Sequence, residues 1–151
     1  LNMKKVIGLL SLVLIFISAT VVAEEALTVE QALEKKKALV VNELRLSPET
    51  QAEFLPVYDD YQLARFKANS RIGELVQEFA DRYHALTNVK AQELLANWMD
   101  AKQAQLDLQK DYIAKFEQVM SKKELMRYYQ IENKLQVAAE FKLGQMIPLA
   151  K

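Results

Sequence analysis

Residues 48–86 decide the fold of this chain, and they read PETQAEFLPVYDDYQLARFKANSRIGELVQEFADRYHAL. At about 100° of rotation per residue, most of their apolar side chains fall within one arc, which is typical of the core-facing stripe of an amphipathic helix. A helix of this length would extend roughly 58 Å. A compact domain of this chain length has a radius of gyration of only about 14 Å. We therefore expect an elongated molecule, or one that shares its surface with a partner. The predicted stripe is Phe54, Val57, Tyr58, Tyr61, Ala64, Ala68, Ile72, Leu75, Val76, Phe79, Tyr83 and Leu86.

The sequence predicts two helix starts between residues 28 and 48, before the long pattern. Thr28 followed by Gln31 reads as a capping box, which predicts a first helix to about Leu44. Ser47 precedes Pro48, and this pair is typical of an N-cap followed by the first helical residue. The long second helix is therefore expected to begin at Pro48.

Two further helices are predicted after residue 86. The segment Leu86-Thr87-Asn88 ends the second helix and caps a third one over about residues 89–120. Because the connection is short, helices two and three should form a long antiparallel hairpin. Ser121 and Glu124 form a second capping box, which starts a fourth helix that Gly144 should end near Leu143.

The composition agrees with an all-α fold. The chain is 51% hydrophobic and has only three Gly and three Pro among its 151 residues, which favours long helices over a sheet with frequent turns. We expect one all-helical domain over residues 24–151, built from the hairpin and two flanking helices.

Residues 1–23 have the pattern of an export signal. Lys4 and Lys5 precede an apolar run over residues 6–17, and Ala23 ends a segment suited to cleavage. We predict a signal peptide cleaved after Ala23; an uncleaved membrane anchor is the alternative. Export would place the remaining chain outside the cytoplasm, with no stable insertion in the membrane after cleavage.

Several kinds of chemistry are not expected. The chain has no Cys and a single histidine, His84, so it offers no thiolate site, no catalytic triad and no His-based metal cluster within one copy. A dimer would bring in a second His84. The formal net charge is zero, which gives no indication of a nucleic-acid partner. We predict neither enzymatic activity nor a cofactor.

The chain has more apolar residues than a hairpin stripe needs. Additional ones lie off the main stripes of helices two, three and four: Leu55, Phe66, Leu95, Met99, Leu106, Ile113, Met126, Val137 and Phe141. Helices one and four or a second subunit would cover them, or they form an exposed interaction surface interleaved with Arg65, Lys67, Arg71 and Lys102. The run Lys35-Lys36-Lys37 is interpreted as a solvated face, or as a basic contact surface.

Two short segments resemble a motif of a known family. Leu46-Ser47-Pro48-Glu49-Thr50 and Met120-Ser121-Lys122-Lys123-Glu124 are similar to the repeated L-T-x-x-Q motif of the Spy/CpxP-like periplasmic proteins. Ser stands for Thr in both copies and keeps the capping hydroxyl, while Thr50 and Glu124 occupy the Gln positions. The resemblance covers about residues 39–143.

The resemblance implies a thin, curved, all-helical dimer that acts as an ATP-independent chaperone in the bacterial periplasm. Its partners would be unfolded or misfolded envelope proteins, held on an apolar and basic surface. A metal-responsive or regulatory binding module of the envelope stress response is the alternative, and a purely structural helical protein is a third. The candidate client contacts are Leu55, Arg65, Phe66, Arg71, Leu95, Met99, Leu106 and Ile113.

Overall fold

The computed structural model describes residues 28–150, which form four α-helices and one 3₁₀ turn and contain no strand. The elements are α1 (Val29–Leu44), α2 (Pro48–Arg82), the 3₁₀ turn (Tyr83–Ala85), α3 (Asn88–Phe116) and α4 (Lys122–Met146). This confirms the predicted all-α fold class. The predicted signal peptide over residues 1–23 lies outside the described part of the chain. None of the helices in residues 28–150 combines the length and apolar character needed to cross a bilayer.

Helices α2 and α3 form the predicted hairpin and give the molecule its length. α2 has 35 residues and α3 has 29, which correspond to about 52 Å and about 43 Å. Helices α1 and α4 pack against each other and against one half of the hairpin. Four helices therefore surround the core at that end, whereas the half nearer the 3₁₀ turn is covered by the end of α4 alone.

Three helix ends differ from the sequence prediction. The last residues of the predicted second helix form the 3₁₀ turn, and α3 ends at Phe116 instead of near Met120. The prediction that Gly144 ends the last helix is wrong, because Gly144 does not adopt a left-handed conformation and α4 continues to Met146. Met146 and Ile147 pack against the hairpin core, so tertiary contacts keep this segment helical until Pro148 excludes a further turn.

The core consists of two clusters along the hairpin. The first is largely aromatic and joins all four helices through Phe54, Tyr58, Tyr61, Phe116 and Tyr128, together with Val40 and Leu44 of α1. Its rings pack at centroid distances of 4.8–6.4 Å, mostly tilted or edge to face. The second cluster lies nearer the 3₁₀ turn and contains Ile72, Leu75, Val76, Leu94 and Ala101. Ile72, Leu75 and Val76 of this second cluster belong to the stripe predicted from sequence.

Candidate functional site

The two family-like motifs form helix caps. The Ser121 side chain accepts a hydrogen bond from the Glu124 backbone at 3.3 Å, and the Glu124 carboxylate accepts one from the Ser121 backbone at 2.8 Å, so this capping box is confirmed. Hydrogen bonds from Ser121 also lower the pKa of Glu124. Ser47 accepts from the Thr50 backbone at 3.2 Å, but the Thr50 side chain only accepts from the Ser47 hydroxyl. The first copy therefore lacks the reciprocal half of the box.

Helices α3 and α4 carry exposed rows of large apolar side chains. Each of these residues is between 38% and 67% exposed: Leu95, Met99, Leu106 and Ile113 on α3, and Met126, Val137 and Phe141 on α4. We call these seven residues the outer apolar surface. Its α3 members are four of the predicted client contacts, and the other helices do not cover them. Of the alternatives given above, coverage of these seven residues by helices one and four is therefore wrong.

The two rows lie side by side. Tyr129 on α4 donates to the carbonyl of Gln109 on α3 at 2.9 Å, and Lys102 on α3 pairs with Glu140 on α4 at 2.7 Å. These contacts set the antiparallel register, and they place Met99 level with Phe141. Helical periodicity puts both rows on the solvent side of the α3–α4 contact. The ion pair between Lys102 and Glu140 lies in the middle of the outer apolar surface.

The remaining predicted client contacts lie elsewhere. Leu55 is half-buried and packs against the aromatic cluster, and Phe66 is also half-buried. Arg71 is exposed and pairs with Glu74 at 3.1 Å on its own helix. Arg65 is only 8% exposed, so the expectation that it contributes to an open basic surface is wrong. It lies on the inner face of α2, between Tyr61 and Ile72.

Arg65 belongs to a buried polar cluster between α1, α2 and α4, which we call the ion cluster. It consists of Lys36, Gln62, Arg65 and Glu132, and each of these residues is less than 9% exposed. Lys36 donates to Glu132 at 2.8 Å and to the Gln62 carbonyl oxygen at 2.7 Å. Arg65 donates to the same Glu132 oxygen that Lys36 contacts, and Gln62 donates to the other at 3.1 Å. Two cations therefore share one carboxylate.

The charges in the ion cluster do not balance, and the pKa of Lys36 reflects this. Burial lowers the pKa of Lys36 to about 8, because the attraction of Glu132 only partly offsets the loss of water and Arg65 repels a second positive charge. The interpretation of Lys35-Lys36-Lys37 as a uniformly solvated run is therefore wrong for its middle residue. The helical spacing predicts this burial. Lys36 lies four residues after Ala32 and four residues before Val40, and both of these residues are on the buried face of α1.

A cavity of about 380 Å³ lies beside the ion cluster and is lined by residues of α2, α3 and α4 and by Ile147. Its apolar lining consists of Ile72, Trp98, Ala139, Leu143 and Ile147. Polar side chains line the end nearer the aromatic cluster: Arg65, Asn69, Gln105 and Gln136. No local sequence pattern predicts this cavity, because its volume depends on how three helices diverge between the two core clusters.

Two other features bear on the predicted chemistry. His84 is exposed in the 3₁₀ turn and packs edge to face on Tyr83, with ring centroids 5.1 Å apart. Within residues 28–150, no group of three His, Asp or Glu side chains lies close enough together to hold a metal ion.

Comparisons with protein-family models, with curated proteins and with solved structures find no match to this chain.

Proposed function

We propose that this protein is an ATP-independent chaperone or stress-protective protein of the bacterial periplasm, which holds unfolded envelope proteins on its outer apolar surface. The observation that carries the proposal is the pair of exposed apolar rows on α3 and α4. An apolar surface of this kind, rimmed by polar groups, is typical of an interaction site.

The composition of the surface favours loose binding of many sequences. Its apolar side chains alternate with charged ones, among them Lys102 and Lys110, whose partners are acids of α4 and α3. Met99 and Met126 are unbranched and flexible, so they can adapt to different apolar groups. Because these contacts require no close shape complementarity, we expect low client specificity.

The motif resemblance supports the proposed location and assembly. Both motif copies lie at the N-termini of long helices. The predicted signal peptide would direct export. We propose a homodimer as well, because the resemblance implies one and a single chain leaves a large apolar area in contact with water. Solution scattering with a mass determination would test this part, and a monomeric mass would contradict it.

The chaperone proposal is tested by suppression of aggregation of a chemically denatured model protein without nucleotide. We expect the purified chain to suppress aggregation at several-fold molar excess. The double variant Met99→Ser with Phe141→Ser should lose most of this effect, because both residues are more than 60% exposed and they lie level with each other on the outer apolar surface. The matched control is Leu63→Ser, since Leu63 is similarly exposed but lies on α2.

Two outcomes would contradict the proposal. One is the absence of suppression by the wild-type chain. The other is suppression that the double variant retains in full while its mass falls from dimer to monomer. The second outcome would assign the outer apolar surface to subunit contact and would favour a structural role.

A further inference from the structure

The cavity between α2, α3 and α4 has the size and lining of a small-molecule site. Ligand sites in proteins are usually mostly apolar and measure about 300–1,000 Å³, with a few polar groups that orient the ligand. This cavity, at about 380 Å³, has a mostly apolar lining. Four of its six polar lining residues lie together at one end, and the other two, Lys102 and Glu140, form an ion pair. Trp98, Leu143 and Ile147 line the opposite end. Such a division suits an amphipathic ligand better than a uniformly apolar or uniformly polar one.

The charge of the polar end selects the head group. Arg65 lines the cavity and belongs to the ion cluster, where Lys36 and Arg65 share the carboxylate of Glu132. Lys102 and Glu140 also line the cavity, but they neutralise each other at 2.7 Å. The ion cluster beside the cavity therefore carries one positive charge more than its single carboxylate balances. A buried excess of positive charge is costly, so an anionic group near Arg65, which shares its carboxylate with Lys36, would be favourable.

We propose that this cavity binds an amphipathic molecule with a carboxylate head and an unbranched acyl chain. The head group lies at the end formed by Arg65, Asn69 and Gln136, and the chain extends toward Trp98 and Ile147. An apolar cavity of 150 Å³ holds benzene, so a cavity of this size has room for about 15 non-hydrogen atoms. Dodecanoate has this size. The inference does not depend on the proposed chaperone function, because Arg65, Trp98 and Ile147, which would hold the ligand, are not members of the outer apolar surface.

The single tryptophan of the chain provides a direct measurement, since Trp98 lines the cavity. Trp98 fluorescence is followed while the purified chain is titrated with dodecanoate below its critical micelle concentration. We expect a saturable change with one ligand per chain. Dodecan-1-ol has the same chain and a neutral head, so it should bind at least about tenfold more weakly, because it lacks a charge-assisted hydrogen bond.

Two variants that fill the cavity separate internal binding from adsorption on the surface. Ala139→Phe should abolish the saturable change in Trp98 fluorescence. Gly144→Phe is the second such variant, because an added Cβ at Gly144 meets no heavy atom within 4 Å and the residue is helical. Val137→Phe is the matched control: it adds the same ring to α4 on the exposed side and should leave binding unchanged. Circular dichroism of each variant verifies the fold.

Three results would overturn the proposal: no saturable fluorescence change with dodecanoate, equal affinity for the acid and the alcohol, or unchanged binding in a folded cavity-filling variant. Binding of many dodecanoate molecules per chain that Val137→Phe increases would also overturn it, because this result indicates adsorption on the outer apolar surface.

Discussion

Removal of the Glu132 carboxylate tests the physical account of the ion cluster most directly. Glu132 is the acceptor that Lys36 and Arg65 share, and its side chain is 4% exposed. Glu132→Gln keeps the shape of the side chain but leaves two buried cations without an anion. Breaking a buried ion pair by removing one partner costs about 3–5 kcal/mol. Two lost hydrogen bonds to a charged acceptor, at about 1.5–3 kcal/mol each, give a similar total.

The loss of stability in Glu132→Gln has an upper limit, because Lys36 can lose its charge. Attraction by Glu132 is what raises the pKa of Lys36 against burial, so Lys36 would lose its proton more readily in the variant. Arg65 cannot lose its charge in this way. We therefore expect a loss of about 3–5 kcal/mol in the free energy of unfolding, dominated by the uncompensated Arg65.

Lys36→Met provides the contrasting measurement. It leaves Arg65 and Glu132 as a balanced pair and replaces a buried ammonium by an apolar side chain of similar length. Because such replacements are often neutral or stabilising, we expect a change within about 1 kcal/mol. Glu140→Gln is the surface control: it breaks the half-exposed pair with Lys102 and should cost less than about 1 kcal/mol.

The assay is urea unfolding followed by far-ultraviolet circular dichroism, at one protein concentration for all variants. A shift of the midpoint with an unchanged slope reports the change in stability. Two results would refute the proposed charge imbalance. One is a loss of unfolding free energy in Glu132→Gln no larger than that in Glu140→Gln. The other is a loss in Lys36→Met as large as that in Glu132→Gln. The latter result would mean that Lys36 is a required partner and not the surplus cation.

Three further predictions use the same unfolding assay. The pKa of Lys36 is lowered from 10.5 to about 8 on folding, so between these values the unfolded chain binds more protons. Above about pH 8, the free energy of unfolding of the wild type should therefore rise relative to that of Lys36→Met, by up to about 1.4 kcal/mol per pH unit. The same pH dependence in both proteins would contradict this. Ser121→Ala removes the N-cap of α4 and should cost about 1 kcal/mol, while no loss would show that the cap is dispensable. Arg45 ends α1 in a left-handed conformation with φ 53°, so Arg45→Gly should raise stability by about 0.5–1 kcal/mol, and a decrease would show that the Arg45 side chain makes a stabilising contact.

Local sequence signals predicted the helices and most of the buried face. The capping residues Thr28, Ser47 and Ser121 each lie at the N-terminus of a helix, because capping hydrogen bonds involve only residues a few positions apart. Periodicity also identified the exposed row on α3, since residues that share an azimuth share an environment. Helix C-termini were predicted less well, because tertiary packing of Met146 and Ile147 outweighed the local signal of Gly144.

The sequence by itself determined an all-α chain with a long hairpin, capped helix starts and an excess of apolar side chains. Only the tertiary structure decided which polar residues enter the interior and where the helices leave a cavity. Lys36, Arg65 and Glu132 come from three helices, and the sequence does not show that their charged groups contact one another. A buried charge is tolerated only with its partners in position. The contacts among these three side chains depend on packing between distant segments, which no local pattern encodes.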